Sequence, residues 1–334
     1  MLRKKISFHF AILMTISGIV LTFFLVSFLT KKEIEIVEAA PNTNLANCRP
    51  NAVRLGGYQY IRPILFGQDN CQAQHLKPIK DQIETLINSY EGSGVITNAS
   101  VYLRQLNQGD WISVGETQQY NPGSLLKVPE LITFMKMHEK DPGLLDKKIP
   151  YTEPLNLKKQ AYFLSKSIEL GKTYTIRELL YYMIAYSDNN ATMLLNQRMD
   201  LAVFKKVFTD LGLADPDMTK TDIPITANQY SLFMRVLYNA TYLNIDDSEY
   251  CTELLSHSDF NKGLLNGLPK EVKVAHKFGE ANDGVNAHFS ESGIIYINNA
   301  PYLLTVMTKG KDNNLLPGVI SDISKKVFEM MGRV

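Results

Sequence analysis

The chain has 334 residues, with 35 lysines and arginines against 34 aspartates and glutamates, a formal net charge of +1. That length suffices for one large domain or two small ones. A charge so balanced, without a long basic run beyond the N-terminus, argues against nucleic acid as a partner. The 3 cysteines and 6 histidines are scattered without metal-ligand spacing, so neither a metal nor a cofactor is expected.

Residues 6–29, ISFHFAILMTISGIVLTFFLVSFL, contain no acid, lysine or arginine and are long enough to cross a bilayer as one helix. Arg3, Lys4 and Lys5 precede this stretch, while Lys31 and Lys32 are soon diluted by Glu33, Glu35 and Glu38. The charge bias favours a cytoplasmic N-terminus and a translocated body. Residues 1–30 are therefore expected to be a membrane anchor; the competing reading is a cleaved signal peptide ending near Ala39 and Ala40. Both put the body outside the cytoplasm, tethered in the first case and secreted in the second. Residues 31–75 read as linker or irregular lead-in, interrupted by Gly56, Gly57 and Pro63. Within them Cys48 and Cys71 either pair in an oxidising compartment or remain two free thiols. Cys251 reads as a core residue.

Residues 76–334 form the expected folded body. LKPIKDQIETLINSY at 76–90 has helical apolar spacing and stops at Gly92 and Gly94. Strands follow at 100–106 and 111–114, joined through Asn107, Gln108, Gly109 and Asp110. The run NPGSLLKVPELITF at 121–134 opens a buried helix reaching about residue 139. Further helices are expected at 175–186, 188–199, 203–211 and 227–238. The chain then returns to strands at 272–278, 292–297 and 302–308 and closes with a helix at 317–331. The fold class is thus α/β (α+β): a part built from both chain ends and flanked by helices, with an all-helical insertion at about 122–260.

Three short motifs carry chemistry. Ser124 and Lys127 stand three apart at a helix start, on one face, where free backbone N–H groups remain. A lysine amine so close can take the serine proton; alone, the pair also reads as a helix cap and a solvated lysine. YSDNNAT at 186–192 places Ser187, Asp188 and Asn189 at a break between helices, where a cap is the ordinary reading. HKFGEA at 276–281 places Lys277, Phe278 and Gly279 at the end of a strand.

In this order, on these elements, the three motifs resemble those of the penicillin-recognising serine hydrolases, in particular the class A β-lactamase-like branch. The likeness spans about residues 76–334 and implies a β-lactamase/transpeptidase-like fold, an antiparallel sheet flanked by helices with an all-helical subdomain. It implies that Ser124 is the nucleophile that forms an acyl-enzyme and Lys127 its base or proton relay. It implies further that Ser187 protonates the leaving nitrogen, Asn189 holds the substrate amide, and Lys277 depresses the Lys127 amine and attracts a carboxylate. The oxyanion would lie between the backbone N–H groups of Ser124 and Glu280, just after Gly279.

The chain departs from that pattern in several places. The interval LGLADPDMTKTDIPITANQYS at 211–231 lacks the glutamate that such β-lactamases use to activate the deacylating water, offering only Asp215, Asp217 and Asp222, each an ordinary turn or cap residue. TEPLN, with Glu153, Leu155 and Asn156, imitates the missing motif but precedes the Ser187 triplet. Phe278 stands where the family has a hydroxyl for the substrate carboxylate, Glu280 puts an acid beside the oxyanion position, and His288 reads as structural. The expectation is a membrane-anchored extracytoplasmic serine hydrolase that opens β-lactam or related amide bonds and deacylates slowly. Alternatives are a penicillin-binding D,D-carboxypeptidase or transpeptidase acting on peptidoglycan stem peptides, a sensor that is acylated without turnover, and an esterase for uncharged substrates.

Overall fold

The computed structural model describes residues 50–56, 63–69, 71–155, 163, 165–220, 223–297 and 300–332. The expected anchor at 1–30 lies outside the described residues. Within them, no helix is long and apolar enough to cross a membrane.

A five-stranded antiparallel sheet, in the order β4-β3-β9-β8-β7, is the centre of the body. Its strands come from both ends of the chain: β3 (Asn98–Gln105) and β4 (Trp111–Val114) from the first part, β7 (Lys273–Asn282), β8 (Ala287–Tyr296) and β9 (Tyr302–Gly310) from the last. β9 lies between β3 and β8 and joins the two, with Leu103 opposite Leu304 and Ser292 opposite Thr305. β7 is an edge strand, paired only to β8, with Lys277 opposite Ser292 and Gly279 opposite Ser290.

Alternation along the strands sends apolar side chains to both faces, which explains why the sheet needs cover on each side. Helices α1 (Lys77–Gly92) and α8 (Leu316–Met331) cover one face. α1 buries Ile79, Ile83 and Ile87, spaced four apart, against a core that includes Val101, Leu103 and Leu304. The other face packs under the helical insertion, α2 (Lys127–His138), α3 (Ile176–Ala185), α4 (Asn189–Asn196), α5 (Leu201–Asp210), α6 (Ala227–Tyr238) and α7 (Ile245–Ser256), with Tyr102, Ala275, Ile294 and Leu303 in that core. Side-chain caps start most of these helices: Thr175 and Thr226 form capping boxes with Glu178 and Gln229, and Asp188, Asp200 and Asn244 accept from free N–H groups.

The structure corrects the expected boundaries in three places. Residues 50–54 and 64–69 are not irregular lead-in: β1 (Pro50–Arg54) and β2 (Ile64–Asp69) form an antiparallel pair. It docks on the body because Leu65 and Phe66 are buried and the Gly67 carbonyl accepts from Arg104 Nη2 at 3.3 Å and Arg235 Nη2 at 2.5 Å. β7 and β8 run on to Asn282 and back to Ala287, longer than their apolar runs. α7 was not foreseen, because its start is acidic and only Cys251, Leu254 and Leu255 are apolar among its buried side chains. A small pair, β5 (Lys148–Pro150) with β6 (Thr173–Thr175), completes the insertion. Cys71 is disulfide-bonded, not a free thiol, and Cys251 is free and buried; Cys48, the partner weighed for Cys71, lies outside the described residues.

Candidate active site

The turn that carries Ser124 is built before any catalysis is considered. Asn121 Oδ1 accepts from Gly123 N–H at 3.1 Å, and Asn121 N–H donates to His288 Nδ1 at 3.0 Å. Because Nδ1 accepts, the ring proton sits on Nε2, which donates to Asp283 Oδ2 at 2.9 Å. His288 is thus structural, as expected, and fastens the turn to β8. From the helical side, Tyr230 Oη donates to the Leu125 carbonyl at 3.0 Å, and Tyr120 and Ile225 exchange backbone hydrogen bonds at 3.0 Å. Ser124 then lies in a 3-10 turn, Gly123–Leu126, that runs directly into α2, where the Lys127 N–H bonds back to the Ser124 carbonyl.

Edge strand β7 presses on this turn. A Cβ on Gly279 would fall 2.1 Å from the Pro122 carbonyl oxygen and 2.7 Å from Leu125 N; one on Gly123, whose φ is +53°, would fall 2.2 Å from the Glu280 carbonyl oxygen. Only glycine permits this approach on either side. It is what brings the Ser124 backbone beside that of Glu280.

The amines converge on Ser187. Lys127 Nζ donates to the Ser187 carbonyl at 2.6 Å, to Ser187 Oγ at 3.2 Å and to Asn189 Oδ1 at 2.8 Å. Lys277 Nζ donates to the same Ser187 Oγ at 2.9 Å and to the Phe278 carbonyl at 3.0 Å. With both of its acceptor positions taken, the Ser187 hydroxyl must direct its own proton elsewhere. Ser187 has φ of +53°, a left-handed conformation that costs a non-glycine residue about 1–2 kcal/mol. Asp188 holds it there by capping α4 at Asn190 N (3.0 Å) while accepting from Ser167 Oγ at 2.8 Å and Ile168 N at 2.9 Å.

Both lysines are buried, Lys127 at 4% and Lys277 at 0% exposure. Burial, which penalises the ammonium, lowers the Lys127 amine to about 8 against the opposing pull of Glu130, Asp188 and Glu280. Lys277 is held well below its ordinary value by burial first and by the Lys127 charge second.

The sequence-derived residues thus come together: Lys127, Ser187, Asn189 and Lys277 by direct hydrogen bonds, Ser124, Gly279 and Glu280 by backbone apposition. Phe278 requires a correction. It does not stand in the site as an apolar replacement for a hydroxyl, because its ring turns to the α1 and α8 side of the sheet and is 2% exposed. There it stacks on Phe260 at 4.2 Å between centroids and meets Phe163 edge-on at 5.2 Å; the Lys277 ammonium lies 4.2 Å from its centroid. Of the carboxylates in the 211–231 interval, Asp215 faces Lys205 and Asp217 receives the Thr219 backbone N–H, as turn residues do; Asp222 is outside the described residues. Glu153 is exposed, and Asn156 is outside the described residues.

Sequence reasoning missed two buried groups. His276 Nδ1 and Glu291 Oε1 share a hydrogen bond at 2.6 Å, and Glu291 Oε2 accepts from Leu264 N at 2.8 Å, a buried tie beneath β7. Glu130, one turn after Lys127, is 9% exposed. In an apolar run such as LLKVPELITF a lone glutamate reads as a surface position, and only its i+3 spacing from Lys127 signals otherwise.

Comparison with known proteins bears on the fold and the family. No curated protein sequence matches the chain. Among solved structures, PBP-A is similar with a TM-score of 0.65 and 21% identity, covering 78% of this chain and 97% of its own. A class A β-lactamase from Mycobacterium abscessus is similar with a TM-score of 0.63 and 19% identity over 76% of this chain and 99% of its own. A β-lactamase from Sphaerobacter thermophilus DSM 20745 reaches a TM-score of 0.64 at 17% identity, over 76% and 98%. These likenesses concern the fold. The model of the Beta-lactamase enzyme family matches residues 78–331, and the chain belongs to that family.

Proposed function

We propose that the protein is a serine hydrolase that opens β-lactam or related amide bonds through an acyl-serine at Ser124 and releases the acyl group slowly. The observation that carries this reading is the convergence of two buried amines on Ser187 Oγ, at 3.2 and 2.9 Å. Lys127, when neutral, accepts the Ser124 proton as Oγ bonds to the substrate carbonyl carbon. The Ser124 and Glu280 N–H groups hold the resulting oxyanion. As the C–N bond breaks, the leaving nitrogen takes the Ser187 proton, and Ser187 is reprotonated by the lysine ammonium beside it. Asn189 holds the substrate amide.

Slow release follows from the 211–231 interval, whose sequence contains no glutamate. Support for acylation also comes from a variant of PBP-A, similar to this chain with a TM-score of 0.65, solved as an acyl-enzyme complex with penicillin G. Intact-protein mass spectrometry after exposure to penicillin G tests the reading. The expected result is one added penicillin that persists for minutes to hours and is absent from Ser124→Ala. No adduct on the unaltered protein, or an adduct that survives Ser124→Ala, would overturn it.

A D,D-peptidase reading is favoured by the same missing glutamate and predicts a stable penicillin label with little nitrocefin turnover. The disulfide at Cys71 fits an oxidising, extracytoplasmic compartment, and the basic-then-apolar start of the sequence supports a membrane tether. Fractionation of cells with and without residues 1–30 checks the tether: a full-length protein in the soluble fraction refutes it.

A further inference from the structure

Glu130 is a carboxyl that the proposed mechanism does not use, and its position is chemically costly. It sits at i+3 from Lys127 on α2, so the two side chains leave neighbouring positions of one helical face. It is 9% exposed, and an isolated carboxylate in such surroundings is penalised heavily unless it is neutral or compensated. Its carboxyl meets the Asn196 side chain from the end of α4. Among the described residues, however, neither Glu130 Oε2 nor Asn196 Oδ1, both buried, has a hydrogen-bond partner. An amide can present either its NH₂ or its oxygen to a carboxyl, so the Glu130–Asn196 pair suits both the ionised and the protonated acid.

The charged groups around Lys127 are few. Glu130 comes from its own helix, Asp188 from the break before α4, and Lys277 and Glu280 from β7. Asp188 is committed to capping α4 and holding the segment at Ser167 and Ile168. From α5, Asp210 is engaged by Lys206 and the Tyr242 hydroxyl, and from α7, Asp247 faces His138 at the far end of α2. Glu130, on the same helix as Lys127, is a buried carboxyl of this group with an oxygen left over.

We propose that Glu130 is a positioning residue for the reaction: the buried counter-charge that sets whether Lys127 is protonated, acting from within the nucleophile helix. This rests on the reading of Lys127 as base. In support, burial raises the Glu130 carboxyl to about 7, with Lys127 pulling it back, so the two titrate within reach of each other. The sign is fixed by Coulomb attraction. A carboxylate near an ammonium raises the amine pKa, so removing it lowers that pKa and lets the base form persist to lower pH.

The test is a titration of Lys127 by carbon-13 NMR in lysine-labelled Ser124→Ala protein, with the resonance assigned by Lys127→Arg. Glu130→Gln is expected to lower the midpoint by about one pH unit, and Glu130→Met, which fills the site with an apolar chain, should do the same. In otherwise unaltered enzyme, the acid limb of the acylation profile moves down with it. A purely structural glutamate would change thermal stability and leave the midpoint in place, and that result overturns the proposal. Glutamate-labelled protein gives an independent reading: Glu130, expected to titrate near 7, should move up in Lys127→Met, which removes the ammonium that pulls it down, and a midpoint that ignores that loss refutes the proposal. If no substrate acylates Ser124, the proposed function fails, yet both titrations still decide the role of Glu130.

Discussion

The pH dependence of acylation follows most directly from the geometry. Lys127 can take the Ser124 proton only as a neutral amine, and burial holds its pKa at about 8. The neutral fraction is then about one half at pH 8, about one-eleventh at pH 7 and about one-hundredth at pH 6. The second-order rate of acylation should therefore rise about tenfold per unit between pH 6 and 7, bend near 8 and flatten above it. Lys127→Arg keeps the charge but, with a guanidinium pKa above about 12, leaves fewer than about one molecule in 10⁵ neutral at pH 7. Acylation by that variant should fall by at least about 10³-fold. A fluorescent penicillin followed by stopped flow or quenched gel measures both. A rate constant that is flat from pH 6 to 9, or an arginine variant within tenfold of the unaltered enzyme, would show that the amine is not the base.

Three other substitutions test the frame around the reacting groups. Gly279→Ala forces a methyl to within 2.1 Å of the Pro122 carbonyl oxygen; it should cost about 1–3 kcal/mol by thermal unfolding and abolish penicillin labelling. His288→Leu removes the acceptor of the Asn121 N–H, so it should destabilise by about 1–3 kcal/mol and slow acylation, although the ring touches no reacting atom. Phe278→Thr, which restores the family's hydroxyl, empties part of a four-ring stack. It should cost about 3 kcal/mol without tightening benzylpenicillin binding, since the side chain faces the α1 and α8 core; a lower Kd for the variant would contradict that placement.

Much of this site was legible because its chemistry is written in short, ordered stretches. Ser124 with Lys127 and Ser187 with Asn189 are each local, and helix periodicity is enough to place them at a helix start and a helix break. The β3–β4 hairpin and the helix at 227–238 announced themselves through turn chemistry and apolar spacing. Longer-range facts were hidden for a physical reason. Which way Phe278 turns depends on the register of β7 against β8 and on Phe260 and Phe289, none of which its own neighbours in sequence reveal. Glu130 and the His276–Glu291 tie look like surface charges until the fold closes over them. The N-terminal strand pair escaped notice because its cover, Arg104 and Arg235, lies far along the chain.

The hydroxyl of Ser187 is also a rivet. One amine reaches it from the helical insertion and the other from the sheet assembled by the two chain ends, so a single oxygen bridges the seam between the halves of the molecule. Because Ser187 and Lys127 both belong to the insertion, a breathing motion that parts the insertion from the sheet breaks the Lys277 bond and leaves the Ser187 oxygen cut off from the strand. If Ser187 relays a proton as proposed, reactivity towards penicillin becomes a gauge of how tightly the two halves are shut.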